Sequence, residues 1–178
     1  RGANGGGQLG DGTTTRRAAL VDVLDVDGTP LTGITALRAS DFSTCVLLAA
    51  AREVRCWGTL TDRPVVRLRA TEALTQLGVG ELHVCALTEA GRVLCWGNND
   101  DAQLGNGTHT PSSGTSFRAV SLPDDVVASA LHVGTRHACV RTQSGDALWC
   151  WGLNASGQLG VGDLEAHLTP VRVAVPGR

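Results

Sequence analysis

Apolar residues recur at alternate positions in short runs along the whole chain: residues 20–26, 65–68, 82–87, 126–133 and 171–175. Clusters of Gly, Asp, Thr or Pro bound these runs. Period-two runs of this length, separated by turn residues, predict many short strands and an all-β fold. One stretch, 47–54, is rich in Ala and admits a helical reading. Nothing else reads as a long helix.

The chain repeats itself. Residues 1–12, 96–107 and 151–162 align without a gap and share the blocks Gln8-Leu9-Gly10, Gln103-Leu104-Gly105 and Gln158-Leu159-Gly160. Trp96 and Trp151 open two of these segments, and Arg1 stands in that place in the other. A further copy starts at Trp57-Gly58 but lacks the Gln-Leu-Gly part. A second motif precedes each internal Trp. It reads Gly80-x-x-His83-x-Cys85, a turn, then Cys95-Trp96; its partner reads Gly134-x-x-His137-x-Cys139, a turn, then Cys150-Trp151. The earliest copy is degraded, with Ser40 and Ser43 for the Gly and His, then Cys45 and Cys56-Trp57. Counted from Trp to Trp, the units are 1–56, 57–95, 96–150 and a shortened 151–178. A repeat of this kind is one supersecondary unit whose apolar face is covered by its neighbours. It also turns 47–54 from a helix into a hairpin.

These motifs resemble the regulator-of-chromosome-condensation family, in a bacterial-type form with paired cysteines. The resemblance runs over essentially the whole chain. It implies antiparallel four-stranded blades of a β-propeller. The family usually has seven blades, so this chain resembles an incomplete ring of about three to three and a half. The short second unit and the degraded first one depart from the family pattern.

The six cysteines fall at matched positions: Cys45 with Cys56, Cys85 with Cys95, Cys139 with Cys150. If Cys85 faces Cys95 across an antiparallel pair, then Leu87 faces Val93 and Glu89-Ala90-Gly91 remains as a three-residue loop. Gly comes last in it, where a type I turn followed by a left-handed residue needs it. The other two pairs need four-residue loops. Directly opposed Cβ atoms lie about 4.5–5.5 Å apart, closer at non-hydrogen-bonded pairs, so cross-strand disulfides need little movement. Buried thiols acting as small hydrophobes are the alternative. Zinc is a third, although the spacing is not Cys-x-x-Cys and each pair needs two more ligands.

Composition narrows the function classes. Of 178 residues, 42% are hydrophobic and 18% charged, enough apolar material for a core and too little charge for a disordered chain. No apolar run is long enough to span a membrane as a helix. All 15 basic residues are Arg, against 17 acidic ones, a balance that argues against nucleic-acid binding through phosphates. The absence of Lys, Met and Tyr reads as codon bias, such as that of a GC-rich genome.

His83 and His137 recur once per repeat, so an architectural role is expected, a ring nitrogen bonding backbone within a blade. Gly80, Gly134, Gln8, Gln103 and Gln158 are expected to be structural for the same reason. Trp57, Trp96 and Trp151 are expected to fill the space between blades. Trp149 breaks the register and should point away from Cys150. With Arg63 and His109 it is a candidate partner contact. The run Gly5-x-Gly7-x-x-Gly10 matches a dinucleotide fingerprint literally, but that motif needs a strand before and a helix after. Sequons occur at Asn106-Gly107-Thr108 and Asn154-Ala155-Ser156. Asp100-Asp101 reads as a solvated turn. No nucleophile–base–orienter set is visible, and no catalytic, cofactor or metal residues are assigned.

The expected function is therefore a non-catalytic protein-interaction module, extracellular or on a cell surface, with its signal peptide outside this segment. Its contacts are expected in the variable segments 13–17, 59–63 and 109–116. The resemblance brings two alternatives: a guanine-nucleotide exchange factor for a small GTPase, and an accessory repeat domain of a larger enzyme. A further protein, either remaining blades or another copy, is expected to cover the exposed blade faces.

Overall fold

The computed structural model describes residues 1–60, 65–112 and 114–174. Its strands form three antiparallel sheets, each a four-stranded meander in chain order. The first holds β1 (Ile34–Ala39), β2 (Ser43–Leu48), β3 (Glu53–Gly58) and β4 (Val66–Arg69). The second holds β5 (Leu74–Val79), β6 (His83–Thr88), β7 (Val93–Gly97) and β8 (Arg118–Ala119). The third holds β9 (Ala128–Val133), β10 (His137–Thr142), β11 (Leu148–Gly152) and β12 (His167–Val173). Among the described residues no helix is long and apolar enough to cross a membrane.

The central hairpin of each sheet follows the register dictated by its cysteines. Cys85 pairs with Cys95, Ala86 with Leu94 and Leu87 with Val93. The Thr88 N–H then donates to the Arg92 carbonyl at 2.8 Å, and Gly91 takes φ +77° to close the turn. Residues 47–54 form the equivalent hairpin of the first sheet, where Leu47 pairs with Val54.

The sheets stack face to face. Cys45, Leu47, Val54 and Cys56 of the first meet Val84, Ala86 and Trp96 of the second. Cys85, Leu87, Val93 and Cys95 of the second meet Ala138, Val140 and Trp151 of the third. Each sheet thus presents its cysteine face to the following sheet and its tryptophan face to the preceding one. β6 lies between two neighbours and is buried along its whole length, which is why 84–87 is a continuous apolar run rather than an alternating one. The first strands of successive sheets approach each other. Gln76 on β5 donates from Nε2 to the Ser129 carbonyl at 3.0 Å, and its Oε1 accepts from the Leu131 N–H on β9 at 2.9 Å. The arrangement is three blades of an open propeller with β1, β5 and β9 innermost. The Trp-to-Trp repeat is offset from the blades: the units that start at Trp57, Trp96 and Trp151 each begin at the end of a third strand.

Residues 20–26 do not form the expected strand. They have no neighbouring strand to pair with, and apart from one isolated bridge, Leu24 with Pro30, they run as an irregular arm. The Leu24 N–H is satisfied by the Gly10 carbonyl at 2.8 Å. Val23 and Leu31 hold the arm against Val46, Trp57 and Val65 of the first blade.

Candidate functional site

The Gln-Leu-Gly segments fold as clasps. In each, a buried asparagine is the hub: Asn4, Asn99 and Asn154 are 0–1% exposed. The Asn99 Oδ1 accepts from the Leu104 N–H at 2.9 Å, while Nδ2 donates to the carbonyls of Thr108 at 2.7 Å and Thr110 at 3.1 Å. Asn4 holds Leu9 and Thr13 in the same way, and Asn154 holds Leu159 and Asp163. The glutamine side chain closes the turn on itself; Gln103 Oε1 accepts from the Asp101 N–H at 2.9 Å. Its main-chain carbonyl is left facing outward. Trp151 Nε1–H donates to the Gln103 carbonyl at 3.0 Å, and Trp57 Nε1–H to that of Gln8 at 2.9 Å. The clasp glycine lies flat against the indole: a Cβ on Gly105 would stand 2.6 Å from Trp151 Cδ1. The clasp therefore belongs to one repeat and the tryptophan to the next. The loop after β3 lacks this block, and Trp96 instead donates to the Gly114 carbonyl at 3.2 Å in the loop of its own blade.

The asparagine hubs are legible in the gapless alignment of the three segments, and Asn154 is also the asparagine of a sequon. Its Nδ2 is spent on Asp163 and its side chain is inaccessible. Replacing Asn99 with Ala orphans the Leu104 N–H and two carbonyls, so a loss of about 1–3 kcal/mol is expected in urea unfolding. A change within error would show that the hub is redundant.

The Gly-x-x-His motif is a steric device. The His83 ring lies directly over Gly80, where a Cβ would come within 2.3 Å of Cε1, and His137 lies over Gly134 at the same distance. The expected hydrogen bond from the ring to backbone is not made at His83: among the described residues, neither ring nitrogen has a partner. Burial, reinforced by the neighbouring His137, lowers the His83 pKa to about 3. Burial lowers that of His137 as well. In the first blade Ser43 takes this place, and its hydroxyl accepts from the Leu60 N–H at 2.9 Å.

All three cysteine pairs are disulfides, each with Cα atoms 4.1 Å apart. The hydrogen-bonded pairs alternate along each hairpin, from Thr88–Arg92 at one end to Leu82–Asn98 at the other. This places Cys85 and Cys95 at a non-hydrogen-bonded position, where opposed side chains come closest. No thiol remains free for zinc.

Strand direction sorts the loops onto two ends of the molecule. The β1–β2, β5–β6 and β9–β10 turns share one end with the clasps and with the variable segment 13–17 and the described residues 109–112 and 114–116 of the other. Around the axis at that end a cavity of about 370 Å³ is lined by Asp41, Phe42, Glu81, Gly134 and Thr135, among others. Phe42 is 49% exposed there. Arg136 bridges Glu81 at 2.8 Å and Asp101 at 3.3 Å. The three candidate contacts do not converge. His109 belongs to this end but folds back, with Nδ1 3.0 Å from the Asp100 carbonyl. Trp149 lies at the opposite end, half-buried against the core between the second and third blades. Arg63 lies outside the described residues.

The geometry agrees with models of the regulator of chromosome condensation (RCC1) repeat, which match residues 74–103 and 129–158 in one form and 90–140 and 146–178 in another. The chain belongs to the RCC1 repeat family. It is 29% identical over 189 residues to the ultraviolet-B receptor UVR8 of Arabidopsis thaliana, covering 96% of this chain and 40% of the receptor. It is 32% identical over 102 residues to the probable human E3 ubiquitin-protein ligase HERC3, covering 57% of this chain and 10% of the ligase. Among solved structures it resembles human WBSCR16, with a TM-score of 0.77 at 23% identity over 98% of this chain and 47% of that one. It also resembles yeast RCC1 (Prp20) as crystallised with Kap60, with a TM-score of 0.66 at 26% identity over 82% of this chain and 36% of that one. The chain therefore spans less than half the length of these propellers.

Within this RCC1 array the arm of residues 1–33 is fixed to the first blade by charge. Arg55 is 2% exposed; its Nε donates to Asp25 Oδ1 at 2.7 Å and its Nη1 to Glu53 Oε2 at 3.1 Å. The guanidinium beside Asp25 holds that carboxyl below the usual carboxylate range. A buried Arg needs such partners, because an unpaired buried charge costs several kcal/mol.

Proposed function

We propose that this RCC1 array is a non-catalytic protein-interaction module of an oxidising compartment, secreted or displayed at a cell surface. The observation that carries the reading is the disulfide across the central hairpin of every blade, since such bonds persist outside the reducing cytosol. The binding end is the one where turns and clasps gather, and Phe42, Asp41 and Glu81 at the axial mouth are its contacts. An exposed aromatic beside the Asp41 carboxylate, with Glu81 already paired to Arg136, suits a protein partner with a basic, partly apolar surface. The test has two arms. Intact mass after alkylation in denaturant without reductant should find no free thiol in protein from its native source; six free thiols would overturn the compartment. Phe42→Glu should abolish retention of a partner that the native chain holds, with the melting temperature unchanged. Retention by the variant would remove the axial mouth from the interface.

The likeness to yeast RCC1, another structure of which is described with its binding to Gsp1p and histones, favours a second reading as an exchange factor for a small GTPase. Accelerated release of labelled GDP would support it. The HERC3 match, confined to a tenth of that ligase, favours a third, an accessory repeat domain within a larger enzyme. There, activity should reside wholly in another domain of the longer chain.

A further inference from the structure

Between the arm of residues 1–33 and the edge strand β4 lies a cavity of about 480 Å³, lined by Leu24, Asp25, Val26, Val65, Val66 and Arg67 among others. Small-molecule sites occupy roughly 300–1,000 Å³ and are mostly apolar with a few placed polar groups. Four of these side chains are aliphatic, and Val26 is 53% exposed. The charges beside them do not balance. Asp25 is spent on Arg55, which donates from Nε to Oδ1 at 2.7 Å and from Nη2 to Oδ2 at 3.3 Å. Glu53 is spent twice, its Oε1 on Arg69 Nη2 at 2.9 Å and its Oε2 on Arg55 Nη1 at 3.1 Å. Arg67 is left over. Its Nε stands 3.7 Å from Glu53 Oε2 and, among the described residues, has no hydrogen-bond partner, while its side chain is 40% exposed. The arrangement is particular to this blade. Arg55 precedes Cys56, where Leu94 precedes Cys95 and Trp149 precedes Cys150, so the repeat itself does not call for charge here.

From this imbalance we infer that the cavity is a binding site for a small amphipathic carboxylate, an apolar body with one anionic end, such as a medium-chain fatty acid. The Arg67 guanidinium takes the carboxylate, for which its planar fork is the matching donor. The apolar body lies along Leu24, Val26, Val65 and Val66, and its removal from water supplies most of the affinity. A cationic ligand does not suit the site, because arginine already engages both carboxylates and the surplus charge is positive. A neutral ligand of the same shape fills the cavity but leaves Arg67 without its counter-ion. The site shares no lining residue with the axial mouth, and it needs no assumption about the compartment.

The test titrates the whole chain with sodium octanoate at neutral pH, followed by amide NMR and calorimetry. Saturable binding with shifts centred on Leu24, Val26 and Val66 is expected. Octanol, with the same apolar body and no charge, should bind at least tenfold more weakly, and octylamine should not saturate. Arg67→Gln should weaken octanoate binding at least tenfold, whereas Arg38→Gln, at an exposed arginine on β1 of the same blade, should leave it unchanged. If Arg67→Gln perturbs the fold, Val26→Asp in the exposed part of the arm should weaken binding at least fivefold. Octanol bound as tightly as octanoate, a preference for octylamine, shifts that bypass the arm and β4, or no saturable shift would each overturn the assignment.

Discussion

Reducing the three disulfides is expected to unfold the chain at room temperature. Each closes a short loop, between cysteines 10 or 11 residues apart, which in the chain-entropy model contributes about 2.5–3 kcal/mol. Three together approach about 8 kcal/mol, against a total stability of about 5–15 kcal/mol for a typical domain. The margin here is narrowed further because the outward face of the third blade, where Leu148 is exposed, lacks the cover that the second enjoys. Far-UV circular dichroism with and without dithiothreitol should show the loss of strand signal, and Cys85→Ala with Cys95→Ala should lower stability by about 2.5–3 kcal/mol alone. A reduced chain that melted at the same temperature would mean that core packing suffices and that the bonds are incidental.

Mild acid is expected to destabilise the protein through His83, well above the pH at which carboxylates titrate. The folded state keeps this imidazole neutral down to about pH 3, whereas in the unfolded chain it takes up a proton near pH 6.5. Below that pH the unfolded chain binds one proton more than the native one. Stability is then complete above about pH 6.5 and falls as pH drops toward 3, with a slope of about 1.4 kcal/mol per pH unit. His137, shifted the same way, steepens the fall. Between pH 7.5 and 5.0 the loss from His83 amounts to about 2 kcal/mol. Urea titrations at the two pH values should find it in the native chain and find it largely removed in His83→Leu. The same loss in both would assign the acid sensitivity elsewhere. Asp25, whose pKa is lowered by Arg55, acts only further down, because its stabilisation is lost as pH falls through the carboxylate range.

Much of this was legible in the sequence because the fold is written several times over. The cysteine register, the three-residue turn ending at Gly91 and the hairpin at 47–54 each followed from comparing copies. Expectations failed where a segment has no second copy or no partner strand. Residues 20–26 alternate like a strand, but alternation reports a half-buried extended chain, not the presence of a neighbour to pair with. The histidines recur as the motif predicts, but the hydrogen bond expected of the His83 ring is not made among the described residues. A spacing of Gly-x-x-His shows that the ring needs room and leaves open what its nitrogens meet. The candidate contacts Trp149 and His109 scattered to opposite ends because position relative to the repeat does not say which end of a strand a side chain occupies.

The missing clasp after β3 has a mechanical consequence. The arm of residues 1–33 is locked to the first blade by Trp57 in its clasp and by Arg55 on Asp25. The second and third blades are locked by Trp151 and by Gln76. Between the first and second blades, among the described residues, no clasp holds an indole: Trp96 packs in the apolar core of that joint, and the hydrogen bonds across it are main-chain ones, from the Leu74 N–H to the Ala51 carbonyl at 2.6 Å and from the Arg69 N–H to the Thr115 carbonyl at 3.3 Å. This joint, without a clasped indole or a side-chain lock like that of Gln76 among the described residues, is therefore expected to be the weaker of the two between blades. Opening should start there and leave each half folded for a time, so amide exchange divides along that joint rather than blade by blade.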